Sequence, residues 1–198
     1  MGAFKVCFLI LACNLLLNLP VLSQLHDYTW VLGYAGGSLS PDRDTFGLSI
    51  LNFENEQLSI TDNQIGEVDF LSNNVSYSDS NGQLQFYFNG KGVYGPDHEL
   101  ASGGENWFTG NFSLGWDEPQ AGIALPFPQS DNLSVLIDSE AEFISIDGIP
   151  ELISPKLFYS LISQEGEYEV EVILRKELLL EDTLDFGKLS ACRPANGR

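Results

Sequence analysis

Few side chains in this chain have the type and spacing that chemistry requires. The histidines are His26 and His98, and neither has a serine, a cysteine or a second metal-ligating residue at a diagnostic interval. A catalytic triad and a zinc centre are therefore not written into the sequence, and His98, in "GPDHEL", reads as a loop residue. Oxygen ligands cluster at Asp79-Ser80-Asn81-Gly82. A calcium ion takes about six to eight oxygens, and this segment lacks the closing glutamate of a calcium loop. Asn-Gly is instead a strong turn signal, and the Asp79 side chain can accept from amides across the turn. In "SPDRDTFG", Ser40 to Gly47, Arg43 stands between Asp42 and Asp44 and neutralises them, which fits a loop. Asp117 and Glu118 beside Trp116 have the types of a glycosidase pair, but adjacent residues do not face one sugar bond from opposite sides. Phosphate loops preceding a helix are absent from the pattern. No catalytic residue, metal or cofactor is expected.

The elements that would position any site read as strands. Short β-rich runs recur between turn clusters: "YTWVLGY" (Tyr28 to Tyr34), "FGLSILNF" (Phe46 to Phe53), "QLSIT" (Gln57 to Thr61), "VSYS" (Val75 to Ser78) and "QLQFYFN" (Gln83 to Asn89). They continue with "GIALPFP" (Gly122 to Pro128), "LSVLID" (Leu133 to Asp138), "KLFYSLI" (Lys156 to Ile162), "YEVEVILRKELLL" (Tyr168 to Leu180) and "KLSAC" (Lys188 to Cys192). Such spacing predicts an all-β fold of antiparallel, short-stranded sheets, with no helix after the first 24 residues. Val75 and Tyr77 on one strand, and Leu84, Phe86 and Phe88 on the next, alternate as a half-buried hairpin requires, with Asp79, Asn81 and Gly82 in its turn.

The segment Gly95 to Gln120 is the least regular, rich in Gly, Pro and acids with Trp107, Phe108, Phe112 and Trp116 interspersed. Long loops on a β scaffold carry binding surfaces, so these four aromatics are the candidate ligand contacts. The competing reading has the tryptophans pinning the loop to the sheet.

Composition bounds the rest. The chain has 198 residues, 43% of them hydrophobic, and a formal net charge of −19. Lys5 is the only Lys, Arg, Asp or Glu before Asp27, and an apolar run ends at a small residue, Ser23, so residues 1–24 read as a secretory signal and 25–198 as the mature segment. Cys13, in "LILAC", raises a lipid anchor as the minority alternative. Export places the protein outside the cell or on its outer surface. The acidity excludes nucleic acid and anionic membrane as partners. Cys7 and Cys13 leave with the signal, and Cys192 alone makes no internal disulfide, so an apolar core must hold the fold. Asn-x-Ser triplets begin at Asn74, Asn111 and Asn132 and matter only if the host glycosylates them.

Seven segments in order carry a family resemblance: Trp30 to Tyr34, Ser78 to Gly90, Val93 to Leu100, Gly122 to Pro128, Leu157 to Ile162, Val172 to Leu184 and Gly187 to Arg198. Together they resemble the N-terminal, β-propeller-like region of secreted bacterial proteins associated with type IX secretion and gliding motility, an uncharacterised family. The resemblance implies a partial propeller of about two to three blades, and further blades beyond Arg198. It implies no catalytic residue. The function expected is an exported, non-enzymatic segment for binding or adhesion, whose surface ligand is a glycan or a protein. A fragment of a propeller-type carbohydrate-active enzyme and a purely structural surface repeat are the alternatives. "GKLSACRPANGR" reads as a strand followed by an Asn-Gly turn, as if a hairpin were interrupted there.

Overall fold

The computed structural model describes residues 27–33, 48–54, 57–64, 68, 70, 73–107, 119–184 and 187–191. The expected signal segment with Cys13, the loop Ser40 to Gly47, the side chains of Phe108, Phe112, Trp116, Asp117 and Glu118, and the "PANG" turn lie outside them. Among the described residues the fold is all-β, in three antiparallel sheets, with no α-helix.

Each sheet is a meander of consecutive strands. The first joins β1 (Thr29–Leu32), β2 (Leu48–Asn52) and β3 (Ser59–Gln64). The second joins β4 (Val75–Ser78), β5 (Leu84–Phe88) and β6 (Val93–Tyr94). The third runs β7 (Gly122–Pro126), β8 (Leu133–Ile146), β9 (Ile149–Gln164) and β10 (Val170–Leu184).

The short-strand expectation fails in the third sheet, where β8, β9 and β10 have 14, 16 and 15 residues. The cause is a two-residue turn at Asp147 (φ 52°) and Gly148 (φ 83°), which closes β8 onto β9 with Ile146 opposite Ile149. Two successive positive φ values make this a type I′ turn, and Asp-Gly is the dipeptide that accepts it. A second departure concerns Lys188 to Cys192. Residues 187–191 form no strand; instead the amides of Lys188 and Leu189 donate to the carbonyls of Pro119 and Gln120, at 3.4 and 3.0 Å.

The second sheet lies between the other two because both of its faces are apolar. Val75, Tyr77, Phe86, Phe88 and Val93 meet Leu136, Ile162 and Val170 of the third sheet in one core. Tyr87 points the other way, into a second core with Val31, Leu48, Val68 and Phe70. Its ring stacks between Phe70 (centroids 5.8 Å) and Tyr94 (5.3 Å). Leu84 corrects the simple alternation. Tyr77 pairs with Phe86 but Ser78 pairs with Leu84, so Gln85 is the extra residue of a β-bulge. That one insertion turns Leu84 to the second core, on the opposite face from Phe86 and Phe88.

The sheets meet chiefly through their first strands, β1 with β4 and β4 with β7. Asn74 Nδ2 donates to the Val31 carbonyl (2.6 Å), Val31 N to Ser76 Oγ (2.9 Å), and Thr29 Oγ1 to the Gly82 carbonyl (3.3 Å). Thr29 is thus beside the end of β4 and Val31 beside its start, so β1 runs opposite to β4. Gly122, at the start of β7, is close enough to Val75, at the start of β4, that an added Cβ would stand 3.0 Å from Val75 Cγ2. The turns that follow these two strands, Asp79 to Gln83 and Phe127 to Asn132, line one groove, so β7 and β4 run the same way.

Candidate functional site

Strand direction decides which turns share an end of the molecule. The β4–β5 turn, the β7–β8 loop, the β9–β10 loop, the β2–β3 turn and the entry to β1 all border one open groove of about 2040 Å³. The β4–β5 turn is held by its own first residue. Asp79 Oδ1 accepts from the amides of Asn81 (2.8 Å) and Gln83 (2.9 Å), while Gly82 N donates to the Asp79 carbonyl (3.1 Å). Positive φ falls on Gly82 (85°) and not on Asn81. A Cβ there would come within 2.8 Å of Tyr28 Cδ1, so glycine also lets the β1 entry pack on the turn. The four residues Asp79 to Gly82 are thereby accounted for as turn chemistry.

Aromatic rings and amides face this groove. Tyr28, Phe127 and Tyr168 supply ring surface, and Gln83 and Asn132 supply groups that both donate and accept. Tyr168 is 54% exposed, and its hydroxyl donates to Glu167 Oε1 at 2.7 Å. That bond, with the Glu167 charge, raises the phenol's pKa. Gln164 Nε2 donates to the Glu167 carbonyl (3.1 Å), while its Oε1 is buried without a hydrogen-bond partner. Deeper in the wall, burial and the nearby Asp79 and Asp131 push Tyr77 up to about 12. No lysine, arginine or histidine lines the groove among the described residues.

A second cluster is built by a bulge in β10. Leu174 pairs with Leu161 and Glu177 with Tyr159, leaving Arg175 and Lys176 opposite Ser160 alone. Lys176 takes φ 49°, and its amide donates to Ser160 Oγ at 2.9 Å. A long side chain in the left-handed region is uncommon and strained. The bulge aims Lys176 Nζ at Asp138 Oδ2 (3.2 Å) and Glu140 Oε1 (2.8 Å), over the Phe158 ring. It also sets the Arg175 guanidinium 4.9 Å from the Trp107 ring centre, with Nη2 donating to the Asn106 carbonyl. Asp138 is nearly inaccessible, and burial pushes its pKa up to about 6; Lys176, and the Trp107 indole N–H facing it, pull the other way. The indole geometry falls short of a full hydrogen bond. Asp138, Glu140, Lys176 and Trp107 are not among the described residues that line the groove.

Of the four aromatics expected at a ligand, the described one is Trp107, and it is 2% exposed. Its ring packs edge-on against Phe88 (5.4 Å) in the first core, and its amide donates to the Lys91 carbonyl. Trp107 therefore pins the loop and presents no surface to a ligand. Phe108, Phe112 and Trp116 fall outside the described residues. His98 Nδ1 lies 3.3 Å from the Tyr87 hydroxyl, and burial lowers its pKa against the opposing charge of Asp97. Among the described residues no group of three metal-ligating side chains comes together.

Tyr168, Gln164 and Phe127 carry no local mark of a site: Phe127 and Tyr168 read as parts of β-rich runs, and Gln164 follows one. Only the antiparallel pairing brings the β7–β8 and β9–β10 loops to one end. No protein-family model, no curated protein and no solved structure matches the chain.

Proposed function

We propose that this chain is an exported, non-enzymatic binding segment of propeller-like construction, on a secreted or cell-surface protein. The observation that carries the binding reading is the groove, to which turns from all three sheets contribute while no described catalytic pair borders it. The propeller reading draws support from the succession of meanders and from first strands that adjoin, β4 and β7 running in parallel. β1, running opposite to β4, departs from that regularity, so two blades are supported better than three.

The third sheet supports the reading from its other side. Residues directly opposite across a ladder share a face. Ile123, Ile137 and Tyr159 form one such row, and Leu125, Val135, Leu161 and Leu174 the next. None belongs to either buried core. A sheet apolar on both faces is what a blade with a further neighbour requires, and the remaining blades of a longer chain are the proposed occupant.

The test is the full chain on an array of glycans and surface proteins, followed by analysis of any retained glycan for cleavage. Retention without cleavage is the expected result. Cleavage would establish the carbohydrate-active enzyme reading in its place, and no retention on any member would favour a purely structural repeat.

A further inference from the structure

The chemistry of the groove restricts what it can hold. Small-molecule pockets run to about 300–1,000 Å³. This one, at about 2040 Å³ and partly open to solvent, has room for a ligand of several units. Among the described residues no cationic side chain lines the groove, so it offers phosphate, sulfate and uronate groups no counter-charge.

Two uncharged features remain to select a ligand. Flat apolar surface comes from Tyr168, Tyr28 and Phe127, which suits the C–H face of a ring and leaves the ring's polar edge free. Amides of Gln83 and Asn132 each carry donors and an acceptor, the set a vicinal pair of hydroxyls needs.

A basic peptide is the competing occupant, and the carboxylates would add little to its binding. Asp79 is taken up by its turn and Glu167 by the Tyr168 hydroxyl. Asp27, Glu54 and Asp131 are exposed, where an ion pair contributes little. We infer that the groove bordered by Tyr168, Phe127 and Gln83 binds an uncharged oligosaccharide, stacking sugar rings on the aromatics and pairing hydroxyls with the amides. This rests on the reading of the groove as the binding site.

The experiment is titration calorimetry of the full chain with gluco-, xylo- and N-acetylchito-hexasaccharides, with hexagalacturonate and hexalysine as charged counterparts. An uncharged hexasaccharide should bind, with affinity unchanged between 50 and 500 mM salt. Tyr168→Ala and Gln83→Ala should each weaken it tenfold or more, while Phe143→Ala, on the distant β8–β9 hairpin, should not. Tyr168→Phe, which keeps the ring and loses the hydroxyl, should retain most of the affinity. If hexalysine or hexagalacturonate alone binds in a Tyr168-dependent way, the groove stands as a site and the sugar class is overturned. If no probe's binding depends on Tyr168, both the sugar inference and the groove fall.

Discussion

Lys176 Nζ lies 3.2 Å from Oδ2 of Asp138, a carboxylate whose side chain is 2% exposed. The pair joins β8 to β10 across β9, beneath the Trp107 indole. Attraction from Lys176 does not fully offset the cost of burying the Asp138 charge, which is why its pKa rises from 3.8 to about 6.

That shift makes stability depend on pH in a definite direction. The folded state binds the Asp138 proton more tightly than the unfolded chain. The contribution is therefore complete below pH 3.8 and is lost as pH rises through about 6. It amounts to roughly 3 kcal/mol in full, from about 1.4 kcal/mol per pKa unit. Melting temperature should fall between pH 5 and pH 7.5 more steeply for the native chain than for Asp138→Asn. Equal slopes in the two would show that Asp138 does not titrate there.

Removing the cation should be costly only where Asp138 is charged. Lys176→Met leaves a buried carboxylate unpaired and should cost about 3–5 kcal/mol at pH 7.5 in urea unfolding, and much less at pH 5. The double variant Asp138→Asn/Lys176→Met should recover most of the loss. A loss independent of pH would assign Lys176 a packing role instead.

The β4–β5 turn yields a graded pair. Asp79→Ala removes acceptors for two amides and should cost about 1 kcal/mol, with no change in melting temperature on adding calcium. Gly82→Ala should cost more, because it combines φ 85° with a close approach to Tyr28. A large calcium-induced rise in melting temperature would restore the calcium reading of this segment.

Trp107 tests the division between core and groove. Trp107→Ala should destabilise by about 3–5 kcal/mol, as for other large-to-small core changes, without altering ligand affinity at temperatures where the variant is folded. Loss of affinity in the folded variant would return Trp107 to the binding surface.

The long hairpin leaves apolar side chains in water. Phe143 is 65% exposed, and Ile146, Ile149 and the run Leu178 to Leu180 are exposed with it. β10 is also the outer strand of its sheet. Exposed apolar edges template pairing with another chain. Sedimentation velocity should show self-association that increases with salt as the acidic repulsion is screened, and Leu179→Lys should reduce it. A monomer at all salt concentrations would indicate that the acids of β10 already guard the edge.

The sequence by itself determined the kind of structure and the chemistry of single turns. Period-2 alternation in "VSYS" and "QLQFYF" placed β4 and β5, because a strand with one buried face must alternate. Asp79 and Gly82 specified their turn through local hydrogen bonds and backbone freedom, which depend on a few neighbouring residues. Asp147-Gly148 carried the same kind of signal and was missed, although it sits between alternating apolar residues. Tertiary structure decided what local pattern cannot encode. The Gln85 bulge sent Leu84 to the opposite core, and no propensity marks which residue of a strand will be inserted. Asp138 and Lys176 stand 38 positions apart, and only the pairing of both strands with β9 brings them together. Trp107 went to the core because Phe88 and Arg175 were there to receive it. The groove exists because strand direction gathers turns far apart in sequence at one end, a property of topology and of no single residue.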